Sequence, residues 1–387
     1  MNNYFDTYTK KDCNGCGVCA LKCPKNAIVM KEDAEGFLYP EINKEKCVDC
    51  GLCKKICPNI KKDIKNNATT YIAINNNKED RMRSASGGCF YPIAKHVIQN
   101  GGIVFGVAYD ENLVAKHYFT DTLDGLIKFQ GSKYVRSDLN NAYTKVKDFL
   151  SEGKKVLFSG TPCQCEGLRM YVDDLNENLI TCEIICHATS SPKVFKYYIK
   201  NLEKIYNKKV KNVHFRTKET GWRNQNPVIE FEDGEKIEEN SYLMAFAREM
   251  INRPSCYDCR FCEIDRYSDF SIGDMWGIEK IDSTIIDDNT GISLFNVNTK
   301  KGNEILEVIK EEMFLKPVDT KVAFSYNHHC NVEVHRNREK FFKKLTSGKI
   351  NETNIIKYMN KYSPKPFHKR VIKKIKLVIE KITKKEI

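Results

Sequence analysis

The sequence predicts an α/β core domain preceded by a small, cysteine-rich α+β domain. Two observations carry this. One cysteine pattern occurs twice near the N-terminus, as Cys13-x2-Cys16-x2-Cys19-x3-Cys23-Pro24 and, 34 positions on, as Cys47-x2-Cys50-x2-Cys53-x3-Cys57-Pro58. From Thr69 to about Asp287, apolar β-branched runs alternate with helical ones, as in sheets whose strands are joined by crossover helices.

The doubled run defines the first element, residues 1–62. Three thiolates at three-residue spacing can wrap one face of an iron–sulfur cubane. A fourth, set off by one more residue and followed by proline, leaves its own loop for the other cluster. Cys13, Cys16, Cys19 and Cys57 are therefore expected around one 4Fe-4S cluster, and Cys47, Cys50, Cys53 and Cys23 around a second, as in a bacterial ferredoxin. Gly15, Gly17 and Gly51 suit a chain that winds tightly and points amide groups at sulfur. Two zinc sites are the competing reading, but those usually pair two CxxC knuckles. Ala27–Met30 and Phe37–Tyr39 read as a hairpin turning at Glu35-Gly36, and 61–68 (KKDIKNNA) as a polar linker.

The core domain is expected over 69–290. Strands are expected at Tyr71–Ile74, Ile103–Tyr109, Val156–Phe158, Leu179–Ile185 and Val213–Phe215. Helices are expected at Gly88–Gln99, Ala142–Leu150, Cys165–Val172 and Lys193–Tyr206. Alternation of this kind favours largely parallel strands, with ligands beyond their carboxyl ends, which points to the turns after Phe158 and Ile185. Both turns carry cysteine. Residues 291–387 read as a helical extension, with helices at Asn303–Glu312 and Glu339–Leu345. In the tail, Val371, Ile372, Ile375, Val378, Ile379 and Ile382 recur at helical spacing among lysines. Residues 364–387 thus suit an anionic membrane surface, a partner helix, or a solvated helix on its own domain.

Composition narrows the function. Seventeen cysteines, with no apolar run of the roughly 18 residues a spanning helix needs and no signal-like start, argue for metal ligation in a reducing, cytoplasmic compartment. The formal charge is +12, but residues 361–387 hold ten Lys/Arg against two Asp/Glu, and anionic clusters lower the remainder. No basic groove with interleaved aromatics stands out in the core, so nucleic-acid binding is not expected.

A second constellation lies at the strand ends. Thr161-Pro162-Cys163 follows one strand, Cys186-His187 ends the next, and Cys256-x2-Cys259 follows Arg253-Pro254. Four thiols from three loops can close on one more cluster, and Cys262 continues the spacing and can replace one of them. The alternative is free buried thiols, since unpaired cysteine is a common small core residue. Ser86-Gly87-Gly88 offers backbone amides at a helix start, with Ser86 as cap, for a pyrophosphate. Gly131-Ser132-Lys133-Tyr134 offers a hydroxyl, a cation and an aromatic face. Arg216 and Lys218 leave a strand end and can bind phosphate or an anionic substrate, or be solvated charges. Trp222 reads as packing, and His328-His329-Cys330 as incidental. His187, beside a candidate ligand, can donate a proton or simply be bonded within its loop.

In order, Ser86-Gly87-Gly88, Gly131-Ser132-Lys133-Tyr134-Val135, Gly160-Thr161-Pro162-Cys163-Gln164, Cys186-His187, Phe215-Arg216-Thr217-Lys218 with Gly221-Trp222, Cys256-Tyr257-Asp258-Cys259 and Ser268-Asp269-Phe270-Ser271-Ile272-Gly273-Asp274 resemble the coenzyme F420 hydrogenase/dehydrogenase beta-subunit family, here with a fused N-terminal ferredoxin domain. The likeness spans roughly residues 3–280. It implies an iron–sulfur flavoprotein oxidoreductase binding FAD, with Cys163, Cys186, Cys256 and Cys259 on a third 4Fe-4S cluster beside the flavin. Ser86, Gly87, Gly88, Gly131, Ser132, Lys133, Tyr134, Thr161, Arg216 and Lys218 would then hold FAD, with His187 as a catalytic candidate. A ferredoxin or other redox protein would exchange single electrons with the clusters, and a small molecule would be reduced or oxidised at the flavin. Bacterial relatives of this shape imply a link to polysaccharide biosynthesis. The alternatives are a non-catalytic electron-transfer subunit and a coenzyme F420 oxidoreductase.

Overall fold

The computed structural model describes residues 8–60, 68–172, 177–224, 226–327 and 331–363. The linker at 61–67, the His328-His329-Cys330 run and the basic tail at 364–387 lie outside the described residues. In the N-terminal domain, Gly17 and Gly51 adopt φ of 77° and 72° and introduce the short helices Val18–Leu21 and Leu52–Lys55. Strands Ile28–Glu32 and Leu38–Ile42 pair antiparallel with Ile28 opposite Ile42. The turn at Gly36 (φ 89°) presses against Lys193, whose Cβ would lie 2.3 Å from any added side chain, so only glycine fits. Ser191 and Lys193 donate to the Glu35 and Ala34 carbonyls, and Phe37 and Tyr39 are buried in the same core as Phe342. The hairpin is thus built into the main domain.

The main sheet has eight strands, in the order Met313–Val318, Thr69–Asn75, Ser293–Val297, Phe270–Asp274, Leu179–Ile184, Val156–Gly160, Ile103–Tyr109 and Ala115–Thr120. The central four, from Phe270–Asp274 to Ile103–Tyr109, are parallel. The flanking pairings are antiparallel, so the sheet is mixed, not largely parallel as the alternation suggests. The cause is local: Tyr109 and Ala115 are too close in sequence for a crossover helix and form a hairpin. Ser293–Val297 is buried at all five positions, as expected of a strand covered on both faces.

The sheet also runs past residue 290. Ser293–Val297 and Met313–Val318 flank Thr69–Asn75, so a boundary there cuts through the sheet. The helices Arg338–Thr346 and Ile355–Tyr362 come after it and pack on the first domain and on Pro192–Tyr206. A separate antiparallel meander comprises Val210–His214, Val228–Phe231 and Lys236–Glu238. The helix expected from Cys165 begins at Pro162, where the fixed φ of proline suits a first turn, and Cys163 therefore sits in that turn. The helix expected from Gly88 begins at Phe90, and Ser86 does not cap it. Gly88 at φ 86° reverses the chain before the helix, which turns Ser86 Oγ to the Ile292 carbonyl (2.7 Å).

Candidate functional site

Gly160, Ile184 and Asp274 end three parallel strands on one side of the sheet, and the sites gather there. In the N-terminal domain one cavity is lined by Cys13, Cys16, Cys19, Cys53 and Cys57, and the next by Cys23, Cys47, Cys50 and Cys53. The two runs are therefore crossed: Cys57 faces the first set and Cys23 the second, while Cys53 borders both. Burial pushes Cys16 well above the usual thiol range, and the nearby Cys57, Cys19 and Cys13 push it the same way. Cys19 is raised too, by burial and then by Cys13, Cys57 and Cys53.

Cys163, Cys186, Cys256 and Cys259 surround a third small cavity with Asn14, Arg136, His187, Thr189 and Arg253. The strand Leu179–Ile184 delivers Cys186, the first turn of Pro162–Val172 delivers Cys163, and the turn Pro254–Cys256 delivers the CxxC. Cys262 does not line this cavity; its Sγ lies 3.5 Å from Asn331 Oδ1. Burial raises Cys186, followed by the effect of Cys256, Cys163 and Cys259, and burial raises Cys256 and Cys259 as well. Four half-buried thiols that would repel one another as thiolates fit a cationic iron–sulfur core, which deprotonates its ligands outright. Among the described residues no three His, Cys, Asp or Glu are arranged for a single metal ion.

A larger cavity of about 260 Å³ opens beside the third site. Of the residues expected around a flavin, it is lined by Ser86, Gly88, Gly131, Ser132, Lys133, Tyr134, Thr161, Arg216 and His187. Gly87 and Lys218 are not on its wall. Gly87 N–H donates to Ser293 Oγ (2.8 Å) and has no room for a side chain against the Ala73 carbonyl. Lys218 is buried behind the wall and donates to the Arg81 and Ser86 carbonyls, both at 2.5 Å; burial pushes its ammonium down to about 7. Lys133 is likewise pushed down to about 7 by burial and ties the carbonyls of Lys128 and Gln130. Arg216 is fixed by Asp274 (2.7 Å), Tyr134 Oη (3.1 Å) and the Ala85 carbonyl. Trp222 is packing: it is buried and stacks on Trp276.

Cys186, His187, Ala188 and Thr189 line both this cavity and the third cysteine cavity, so one short segment separates them. His187 is held there by Glu249 and rests edge-on against Phe246. Three further residues have a part in these sites that the sequence barely signals. Asp274 closes the Ser268–Asp274 series and fixes Arg216. Arg136 and Arg253 stand next to cysteine and glycine motifs, and the only signal either gives is a basic residue at the edge of a buried segment.

Cysteine-ringed cavities in series, leading to a larger pocket at strand ends, define an iron–sulfur electron-transfer protein of the oxidoreductase type. Residues 153–321 match the family model for the C terminus of the coenzyme F420 hydrogenase/dehydrogenase beta subunit, and residues 12–59 match the 4Fe-4S dicluster domain. The chain thus carries a domain related to the C terminus of the coenzyme F420 hydrogenase/dehydrogenase beta subunit and, at its N-terminus, a 4Fe-4S dicluster domain. Among solved structures it is similar to a chain of the F420-reducing [NiFe] hydrogenase complex from Methanosarcina barkeri, with 19% identity over 78% of this chain and 94% of that one, at a TM-score of 0.46. No curated protein matches it.

Proposed function

We propose that the protein is an iron–sulfur flavoprotein oxidoreductase with three 4Fe-4S clusters and FAD. The observation that carries this is the series of adjoining sites: Cys53 is common to the first two cavities, Asn14 to the first and third, and residues 186–189 to the third and the 260 Å³ cavity. Cys13, Cys16, Cys19 and Cys57 would hold one cluster, Cys23, Cys47, Cys50 and Cys53 the second, and Cys163, Cys186, Cys256 and Cys259 the third. When bound, the clusters supply one-electron steps and the flavin exchanges single electrons for pairs.

The chain's own groups bind and orient. Arg216, paired with Asp274, fixes a polar group on the wall and would meet a phosphate or an anionic substrate only by exchanging one of its present partners. Ile184, Ile185 and Ile272 give the cavity an apolar wall, and Lys218 and Ser293 hold the 86–88 backbone along the opposite side. His187, oriented by Glu249, is placed to hold a proton between the third site and the cavity. A ferredoxin or other one-electron carrier is the partner class, and a small molecule reaching the large cavity is the substrate class.

Anaerobic purification with iron, sulfide and flavin analysis tests this, with about twelve iron atoms per chain and one releasable FAD expected. Colourless protein, or zinc in place of iron, overturns it. Stopped-flow reduction by ferredoxin, NADH, NADPH and coenzyme F420 then sorts the donors. A protein that takes up electrons but turns over a substrate only with a second polypeptide is an electron-transfer subunit.

A further inference from the structure

Four arginines are buried among the described residues: Arg136, Arg253, Arg266 and Arg338. Arg266 is paired with Glu183 and Arg338 with Glu35. Arg136 and Arg253 form no ion pair with a carboxylate among the described residues, although they are 9% and 1% exposed. A guanidinium does not deprotonate in a protein, so an uncompensated one in the interior is costly.

Their surroundings show where the missing negative charge belongs. Arg136 donates to Cys163 Sγ (3.3 Å) at the third site and to the Gly15 carbonyl (3.1 Å) in the loop of the first site. Arg253 donates to the Cys13 carbonyl (2.8 Å), with a second nitrogen 3.9 Å from Cys13 Sγ, and its guanidinium lies over the Tyr39 ring at 4.2 Å. Both line the third cavity. Gly15, at φ 64°, fits between them because an added Cβ would lie 2.9 Å from the Arg253 nitrogens. The two cations thus fill the junction between the first and third cysteine sites.

We propose that Arg136 and Arg253 are the counter-ions of the two clusters on either side of them. This rests on the cluster reading given above. A 4Fe-4S core with four thiolates carries a net negative charge, and gaining one electron with no proton adds another unit. Buried cations that donate to ligand sulfurs stabilise the reduced form and raise the potential, since net charge and hydrogen bonds to sulfur set it. They also give the two domains a reason to be held at one fixed spacing, because either guanidinium separated from its cluster is a buried, unpaired charge.

The test is an anaerobic redox titration of the iron-loaded full chain followed by electron paramagnetic resonance. The readout is the spectral component that Cys163→Ser removes. Arg136→Gln and Arg136→Met are expected to lower its potential by at least a tenfold change in the one-electron equilibrium, about 59 mV, while Arg136→Lys stays nearer the wild type. Neutral variants that fail to assemble this cluster, while Arg136→Lys assembles it, support the proposal equally. Potentials that coincide in all four proteins overturn the proposal, as does equal failure of all three variants, which would mark Arg136 as needed for shape and not charge. A wild type without iron defeats the cluster reading instead, and the iron assay separates the two.

Discussion

Cys259 and Cys262 are three residues apart and read alike in the sequence, yet only Cys259 lines the third cavity while Cys262 lies against Asn331. Cys259→Ala is expected to cost the protein one cluster, about four iron atoms per chain, and Cys262→Ala to leave the iron content unchanged; equal losses would reassign the ligand. His117 gives a second residue-scale expectation. It is buried, stacked on Phe158 at 5.0 Å, and bonded through Nε2 to the Ser159 carbonyl. Burial, with a smaller contribution from Arg136, holds it down to about 4. An unfolded chain takes up this proton near 6.5 and the folded one near 4, so the stabilisation is complete above pH 6.5 and is lost as pH falls toward 4. The most this can amount to is about 3 kcal/mol. His117→Phe keeps the stack and removes the titration. Its urea midpoint is expected to vary less between pH 7.5 and 5 than the wild type's, and parallel curves would contradict this.

At the scale of elements, the hairpin of the first domain is tied to the last part of the fold by one partly buried pair, Arg338 to Glu35 at 2.6 Å, with Arg338 also donating to the Asn252 carbonyl. Arg338→Met leaves Glu35 without this partner and the Asn252 carbonyl with only the long Tyr257 hydroxyl contact (3.4 Å), and is expected to destabilise by about 2–3 kcal/mol. Denaturant unfolding measures it, and Glu35→Gln together with Arg338→Met should recover part of the loss. Such ties are invisible in a sequence because they join residues some 300 positions apart. What the sequence does carry is local. The Cys-x2-Cys-x2-Cys-x3-Cys-Pro spacing places both runs, Glu35-Gly36 gives the turn, and apolar periodicity gives Thr69–Asn75, Ile103–Tyr109 and Pro192–Tyr206 nearly to the residue. Strand direction is not legible in the same way, because alternation does not reveal whether a short link such as 110–114 forms a hairpin. Cys163, Cys186 and the Cys256–Cys259 pair are legible as thiols, but only the meeting of two strand ends with the turn at Pro254–Cys256 makes them one site. Lys218 and Gly87 show the converse: they belong to the motif in sequence but serve it from behind the wall.

For the whole molecule, accessibility decides where a protein partner can approach. Of the described cysteines only Cys50 is exposed, whereas Cys13 and Cys16 are buried, so the second cavity is the outward end of the series. Its surroundings are apolar and, on balance, basic: Leu21, Val29 and Val48 are exposed, and Lys25, Lys44, Lys46 and Lys55, exposed without ion pairs among the described residues, outnumber the exposed Glu45 and Asp49. An acidic one-electron carrier meeting this end would be steered by charge, and such steering appears in the association rate and fades with salt. Reduction by an acidic ferredoxin is therefore expected to slow steeply between low and high ionic strength. Lys25→Glu with Lys46→Glu should slow it about tenfold at low salt. Dithionite, which is small and reaches the protein from any side, reports whether the clusters themselves are intact in the variant. If the dithionite rate falls along with the ferredoxin rate, the lysines act on the cluster; if neither changes, the carrier docks elsewhere. Loss of the ferredoxin rate alone, with the gap between variant and wild type closing at high salt, places the encounter at the Cys50 end.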